Sequence, residues 1–260
     1  MPRLCANLSM MFNEVPFLDR FAAAGRAGFE GVEFLFPYDH PVADIRARLS
    51  DAGLTQVLFN APPGDWAAGE RGTAGLPGRG AEFREGIYRA VDYAEGLGAT
   101  MVHVMAGIPP AGLRPGVAEA TYVANLAWAV EQAAPRGITL VIEPINHRDM
   151  PGYLLNTMSQ GAAVVEALGR DKVGLQFDVY HCQVTEGDVT RRMEGLMPLI
   201  AHMQVADVPG RHEPGTGEIG WEFVFATMDR LGYAGWVGCE YRPAGDTVAG
   251  LGWQDRYLSE

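Results

Sequence analysis

Cysteine is scarce in this sequence, and its spacing fits neither a metal-binding motif nor a set of disulfide bonds. The three cysteines of the 260 residues, Cys5, Cys182 and Cys239, are odd in number, far apart and set in apolar stretches. Such thiols are typical of reduced core residues. We therefore expect no disulfide bonds and no zinc ion held by thiolates.

An excess of positive charge is also missing. The chain has 20 Lys and Arg against 32 Asp and Glu, a formal net charge of −12, and it has no run rich in Lys or Arg. Binding to a nucleic-acid backbone or to an anionic membrane surface depends on clustered basic residues. We expect no nucleic-acid partner and no membrane partner.

Long apolar segments are absent as well. No apolar run approaches the roughly 20 residues that a membrane span needs. The opening segment MPRLCANLSMMF is interrupted by Asn7 and Ser9, unlike the apolar core of a signal peptide. These features favour a cytoplasmic protein. No nicotinamide, flavin or pyridoxal motif is evident, so we expect no organic cofactor.

What the sequence does contain is a repeated pattern of short apolar runs, most of them followed by an amphipathic segment with helical spacing. The runs occupy residues 4–8, 31–36, 54–60, 101–106, 138–143, 173–178, 200–205 and 235–240. Eight strand–helix units close a barrel, which typically takes about 250 residues. We predict a single α/β domain, a (β/α)8 TIM barrel over residues 1–260.

One segment departs from this pattern. Residues 61–80, directly after the third run, carry six Gly and three Pro, too many for a helix. A linker is one interpretation. Because both flanks continue the strand–helix pattern, we predict instead a long loop on the catalytic rim of the barrel.

Polar residues end four consecutive predicted strands. Side chains alternate across a strand, so Glu143, Asp178, Gln204 and Glu240 each point into the barrel at its carboxyl-terminal end. Barrel enzymes hold their chemistry at this end. The four side chains are therefore predicted to converge on one site.

Three carboxylates at one mouth raise each other's pKa unless a cation neutralises them. Local capping or pairing explains any one of these acids, but four oxygen-bearing side chains in register favour a metal site. Oxygen ligands without a thiolate are preferred by Mg²⁺ or Mn²⁺ over zinc. We predict a divalent ion held by Glu143, Asp178, Gln204 and Glu240.

Two histidines and one arginine are further candidates for contacts with the substrate. His181 lies three residues after Asp178 and is either such a contact or a solvated loop residue. His103 faces inward on the fourth strand, as a pocket wall or a core histidine. Arg211, in the loop after the seventh strand, is either an ordinary surface residue or a residue whose guanidinium group holds a substrate carboxylate through two hydrogen bonds. Glu33, in mid-strand, is interpreted as a buried partner rather than a catalyst.

Several segments of the sequence form a recognisable set. They are ANLSMMF, EVPFLDRFAAA, GFEGVEFLFPY, HVMAG, IEPIN, FDVYH, HEP with GEI, and GCEYRP with GLGW. Together they resemble the hydroxypyruvate isomerase family of xylose-isomerase-like barrels. The resemblance implies interconversion of hydroxypyruvate and 2-hydroxy-3-oxopropanoate. It also implies that Glu143 and Glu240 are the proton donor and acceptor, and that the metal-ligand pattern falls on the four residues at the strand ends.

The resemblance leaves the substrate open. Close relatives isomerise 2-oxo-tetronate, a one-carbon-longer acid, and ketose 3-epimerases of the same superfamily usually have histidine where this chain has Gln204. A DNA-repair endonuclease of this fold would need more histidines and a basic groove, and a binding barrel could lose an acid–base carboxylate. We therefore expect a small hydroxy-keto acid as substrate. The tail GLGWQDRYL packs on the barrel or on a neighbouring copy, so a homo-oligomer stays open.

Overall fold

The computed structural model describes residues 2–114 and 116–258. Within them, eight parallel strands follow one another around a closed barrel. They are β1 (Arg3–Asn7), β2 (Gly31–Phe34), β3 (Thr55–Asn60), β4 (Met101–His103), β5 (Thr139–Ile142), β6 (Val173–Asp178), β7 (Ile200–Val205) and β8 (Trp236–Cys239). Pairing of β1 with β8 closes the barrel, with Arg3 opposite Trp236. The predicted TIM-barrel fold is confirmed.

Helices surround the barrel and cover its strands. They are α1 (Phe17–Arg26), α2 (Val42–Ala52), α3 (Gly80–Leu97), α4 (Val117–Ala133), α5 (Met158–Leu168), α6 (Val179–Thr185), α7 (Val189–Leu196), α8 (Trp221–Arg230) and α9 (Trp253–Leu258). In α3, the buried residues Phe83, Ile87, Val91 and Ala94 recur at helical spacing. None of the helices in the described residues is long and apolar enough to span a membrane.

The side chains inside the barrel form an apolar layer and, nearer the carboxyl ends of the strands, a polar layer. Cys5, Val57, Leu58 and Val141 form a small buried cluster inside the barrel. Nearer the carboxyl ends of the strands, polar side chains replace these apolar ones. The change of level matters for function, because this end of a TIM barrel carries the active site in characterised enzymes.

Residues 61–79, between β3 and α3, contain turns but no helix or strand. The Trp66 ring packs against Phe36, with the ring centroids 5.0 Å apart, and the Arg71 guanidinium lies 3.8 Å from the Trp66 ring centroid. Gly72 has φ +109°, and a Cβ there would lie 2.3 Å from the carbonyl oxygen of Met105. The loop is thus packed closely against the chain just after β4.

The carboxyl-terminal tail packs on its own barrel. The Trp253 ring stacks on Phe225 of α8 with the centroids 5.8 Å apart. Its Nε1 donates a hydrogen bond to the hydroxyl of Tyr241, over 3.2 Å. Trp253 is buried by these contacts within one chain.

Candidate active site

A cavity of about 490 Å³ opens at the carboxyl ends of the strands. The loop after β3 contributes Trp66 and Arg71 to its wall. The predicted site residues that line it are His103, Glu143, His181, Arg211 and Glu240. The cavity therefore joins candidates from β4, β5, β6, β7 and β8 or from the segments that follow them.

Four buried side chains lie together, three of them lining this cavity, and we call them the carboxylate cluster: Glu143, Asp178, His181 and Glu240. One ligand atom from each lies within 4.8 Å of the others. Glu143 and Glu240 directly follow β5 and β8, and Asp178 is the last residue of β6. The alternation of the strands brings together the three acids whose convergence the sequence predicts.

The carboxylate cluster is short of positive charge and of hydrogen-bond donors. Burial, followed by the nearby Glu240 and Asp178 carboxylates, raises the pKa of Glu143 well above its usual range. Burial also raises the pKa of Glu240 to about 8, although Arg211 opposes this. Oε1 of Glu143 is buried and has no hydrogen-bond partner among the described residues. A divalent cation fits such a site, since it neutralises the acids and uses the unpaired oxygen.

Arg211 enters the cavity but pairs with the chain's own acids. Its Nη2 donates to Oε2 of Glu240 and lies 3.4 Å from Oδ2 of Asp178. The guanidinium carbon is 4.9 Å from the ring centroid of Tyr180. Burial opposes the charge of Arg211, but Glu240 and Asp178 outweigh it and raise the pKa of the guanidinium. The carboxylate-binding role predicted for Arg211 stays a prediction.

The loop that carries Arg211 is organised by Asp207, a residue that the sequence analysis did not single out. The Asp207 carboxylate accepts hydrogen bonds from the backbone N–H groups of Val208, Gly215, Gly217 and Ile219 and from Nε1 of Trp221. The carbonyl of Asp207 accepts from the N–H of Arg211 over 2.9 Å. The signal available in the sequence was an acid just after β7, in a loop rich in Gly and Pro.

His181 is held in one tautomer by Asn146. Nδ1 of His181 lies 2.6 Å from Nδ2 of Asn146 and 3.4 Å from its backbone nitrogen. A backbone N–H only donates, so Nδ1 accepts and the ring proton sits on Nε2. Burial lowers the pKa of His181, which keeps the ring neutral. Nε2–H therefore points into the carboxylate cluster as a donor rather than as a metal ligand, 3.5 Å from Oδ2 of Asp178.

His103 forms part of the same wall. Its Nδ1 is 3.2 Å from Oδ1 of Asn60 and 3.7 Å from Oε2 of Glu143. Burial lowers the pKa of His103 to about 3, so the ring is neutral. Its Nε2 is buried without a hydrogen-bond partner among the described residues. His103 therefore lies in the wall of the cavity, which is one of the two positions expected from the sequence. Its contact with a substrate stays a prediction.

Gln204 has partners on the side of the barrel interior. Its Nε2 donates to Oε1 of Glu33 over 2.8 Å, and its Oε1 accepts from Nε2 of Gln176 over 2.7 Å. A carbonyl oxygen has two lone pairs, so one acceptor position remains. Gln204 faces Asp178 across the β6–β7 pairing. Its role as a fourth metal ligand stays a prediction.

Comparison with known proteins identifies the family. The family described as xylose isomerase-like TIM barrel matches residues 21–257. The chain belongs to this family. It is 56% identical, over 99% of both chains, to the 2-oxo-tetronate isomerase of Cupriavidus necator. It is 45% identical to the hydroxypyruvate isomerase of Escherichia coli, over 99% of this chain and 100% of that one.

A solved structure matches the whole barrel. It is described as an AP endonuclease, family 2, from Brucella melitensis, and it is 48% identical over 99% of both chains, with a TM-score of 0.96. The resemblance to hydroxypyruvate isomerases is confirmed by the curated relatives. This family member is an enzyme of the isomerase class.

Proposed function

We propose that the protein is a metal-dependent isomerase of short hydroxy-keto acids, which moves a carbonyl group between C2 and C3. The observation that carries the proposal is the carboxylate cluster, in which three buried acids face one arginine, Arg211, among the described residues. Carboxylate oxygens are ligands that a hard divalent ion, Mg²⁺ or Mn²⁺, prefers. The curated relatives named above supply the class of substrate.

Two acids are candidate substrates. The four-carbon 2-oxo-tetronate is favoured by the 56% identity to the Cupriavidus necator enzyme. The three-carbon hydroxypyruvate, which would give 2-hydroxy-3-oxopropanoate, is supported by the Escherichia coli relative at 45% identity. Both reactions are the same carbonyl shift, so one arrangement of residues serves either substrate.

The proton transfers are assigned to two glutamates. Glu143 follows β5 and Glu240 follows β8, three strands apart around the barrel, so they flank a substrate in the cavity. One carboxylate removes the proton from C3 while the C2 carbonyl oxygen takes up negative charge, which gives a cis-enediolate. A carboxyl group then returns a proton to C2, and the proton of the C3 hydroxyl passes to the C2 oxygen, so that C2 carries the hydroxyl and C3 the carbonyl. Positioned acid–base groups typically contribute about 10²–10⁴-fold in rate.

The metal ion would be held by Glu143, Asp178, Glu240 and the carbonyl oxygen of Gln204. A bound divalent ion supplies Lewis-acid stabilisation of the negative charge that develops on the substrate oxygens. Asp178 is oriented for this role because its Oδ1 accepts from the N–H of Tyr180, over 2.8 Å, at the start of α6. Its Oδ2 then faces the cavity side, towards His181 and Arg211.

Other side chains bind the substrate. The Nε2–H of His181 donates to a substrate oxygen, since its tautomer directs this proton into the carboxylate cluster. Arginines supply the positive charge that an acid requires, and those lining the cavity are Arg71, Arg148, Arg211 and Arg242. A guanidinium matches the two oxygens of a carboxylate. This is the feature that favours a keto acid over a neutral ketose.

One assay tests the proposal. We would measure kcat/KM for hydroxypyruvate, 2-oxo-tetronate and a neutral ketohexose, in chelator and after return of Mn²⁺ or Mg²⁺. We expect turnover of the acids only with metal. Full activity in protein shown by elemental analysis to be metal-free contradicts the metal role. A preference for the neutral ketose replaces the proposal with a ketose 3-epimerase.

A further inference from the structure

A second buried carboxylate, outside the carboxylate cluster, lies in the middle of β2. Glu33 is 1% exposed. Its Oε1 accepts from Nδ2 of Asn7 over 3.0 Å and from Nε2 of Gln204 over 2.8 Å. Its Oε2 accepts from Nε2 of His202 over 2.7 Å and lies 3.5 Å from Sγ of Cys5. We call these five residues the Glu33 network.

Three members of the Glu33 network, Cys5, Glu33 and His202, have the residue types of a metal site, and their ligand atoms lie within 4.8 Å of one another. The contacts argue against that function. His202 and Glu33 share a direct hydrogen bond of 2.7 Å, and Glu33 also accepts from Asn7 and Gln204. The acid is instead satisfied by donors, as a supporting group is.

The two carboxylate oxygens of Glu33 contact different residues of the Glu33 network. A carboxylate only accepts hydrogen bonds, so Gln204 must turn its amide nitrogen towards Glu33 and its carbonyl oxygen away. That oxygen accepts from Nε2 of Gln176 over 2.7 Å and keeps one further acceptor position. Oε1 of Glu33 also fixes Asn7, whose Nδ2 also donates to Oε1 of Glu240 over 3.2 Å. Oε2 contacts only His202 and Cys5 within the network. One oxygen of Glu33 is therefore linked to Glu240 through the amide of Asn7 and directly to the amide of Gln204, the predicted fourth ligand.

The barrel is shaped to hold this carboxylate. A Cβ on Gly238 of β8 would lie 2.5 Å from both oxygens of Glu33. Gly238 pairs with Gln204 across the β7–β8 register. Any side chain at this position of β8 would displace the carboxylate from the amides that it holds.

We propose that Glu33 is a positioning residue of the active site: it orients the carbonyl oxygen of Gln204 for the metal ion and holds Glu240 through Asn7. The inference rests on the proposed function, since the metal site is its target. Hydrogen-bonding partners of metal ligands fix the orientation of those ligands, and their loss typically weakens metal binding about 10–100-fold.

The test measures Mn²⁺ binding by isothermal titration calorimetry, without substrate. In Glu33→Gln, an amide nitrogen replaces one acceptor and faces the donors of Asn7, Gln204 or His202. We expect the Kd for Mn²⁺ to rise about 10–100-fold. The matched control is Cys5→Ala, which removes a contact to Oε2 and leaves the Oε1 side intact. Its Kd should stay within about twofold. Equal losses in both variants would mean that general packing is responsible, which overturns the proposal.

A double-mutant cycle separates positioning from a structural role. If Glu33 acts through Gln204, then Glu33→Gln should change the Kd much less in a Gln204→Leu background than in the wild type. Fully additive effects overturn the proposal. Asn7→Ala removes the link from Glu33 to Glu240, together with the acceptor for the N–H of Ser9, and leaves the Glu33–Gln204 contact in place. It gives a second measurement if Glu33→Gln does not fold. We expect it to weaken Mn²⁺ binding severalfold, and an unchanged Kd counts against the proposal.

Turnover of the wild type keeps the two proposals apart. A wild type that binds Mn²⁺ but isomerises neither acid, with a weakened Glu33→Gln, would retain the positioning role and reject the proposed function. An active wild type whose Mn²⁺ affinity is unaffected by Glu33→Gln would retain the proposed function and reject the positioning role.

Discussion

The carboxylate cluster and the Glu33 network are two groups of buried polar side chains in one barrel, and they differ in how their acids are satisfied. Burial opposes the charge of Glu33, but His202 and hydrogen bonds from Gln204 and Asn7 lower its pKa. In the carboxylate cluster, burial and neighbouring acids raise the pKa of Glu143 instead. Burial alone therefore does not mark a reactive acid. A deficit of donors and of positive charge does.

The largest expected difference between the two groups is in turnover. Glu143→Gln and Glu240→Gln each remove a proton-transfer group and a ligand charge, so we expect kcat to fall by about 10²–10⁴-fold or more while the barrel stays folded. Steady-state kinetics at saturating Mn²⁺ measures this loss. Circular dichroism checks the fold of each variant.

Loss of metal and loss of proton transfer are confounded in these two variants. Titration of each with Mn²⁺ separates them, because a variant that binds the ion normally and is still slow has lost the chemical step. A variant of Glu143 or Glu240 that binds Mn²⁺ normally and turns over at nearly the wild-type rate would exclude that glutamate as an acid–base group.

The next effect concerns Arg211, the cation that the carboxylate cluster shares. Charged hydrogen bonds are worth roughly 1.5–3 kcal/mol each, so Arg211→Met should lower kcat/KM for a keto acid about 10–100-fold. A neutral ketose has no carboxylate to lose and should be affected little. Parallel assays on both substrates at saturating Mn²⁺ measure the ratio.

Arg211 also contacts Glu240 and Asp178, so its removal changes the charge of the cluster itself. Saturation with metal controls for this change. Equal losses on the acid and on the neutral ketose would show that Arg211 supports the cluster or its loop rather than the substrate carboxylate.

A third prediction compares the effect of a Glu-to-Gln substitution on the free energy of unfolding at two positions, in metal-free protein. Glu33→Gln places a donor against the donors of the Glu33 network, and each buried group left unpaired costs about 1–3 kcal/mol. We expect its free energy of unfolding to fall by about that amount. In Glu143→Gln, the amide replaces an acid whose Oε1 has no partner, so the free energy should be nearly unchanged or higher. Urea unfolding in chelator measures both, and equal destabilisation would contradict the comparison.

The sequence predicts those parts of this molecule that follow from local periodicity. Each of the eight apolar runs overlaps one strand, although β4 covers only half of the run at 101–106, and alternation within the runs brings Glu143, Asp178 and Glu240 to one end. The sequence does not predict the hydrogen-bond partners of the buried acids. Asn7 contacts Glu240 from 233 positions away, and His202 contacts Glu33 from 169. The mid-strand position of Glu33 indicates a buried partner, but only barrel closure brings such pairs together, so no local pattern shows which residues satisfy it.

The smallest expected effect lies in the tautomer of His181, the neutral member of the carboxylate cluster. Asn146→Asp keeps the acceptor that holds the N–H of Asp149, over 2.8 Å, but replaces the amide donor to Nδ1 of His181 with an acceptor. The backbone N–H of residue 146 stays 3.4 Å from Nδ1, but the position 2.6 Å from Nδ1 is then held by a carboxylate oxygen, the closer partner, so the ring proton should move towards Nδ1. Nε2 of the neutral ring is then unable to donate to the substrate. We expect kcat to fall about tenfold or less, with KM for the acid changed little.

Nitrogen-15 NMR of the histidine rings reads this change directly, because protonated and unprotonated ring nitrogens have different chemical shifts. The wild type should show a protonated Nε2 on His181, and Asn146→Asp a protonated Nδ1. Asn146→Ala is the control for the added charge: its backbone N–H still faces Nδ1, so the ring should keep the wild-type tautomer and most of the activity. A His181 that carries its proton on Nδ1 in the wild type would remove the reason for treating it as a donor, and would return Nε2 to the set of metal ligands.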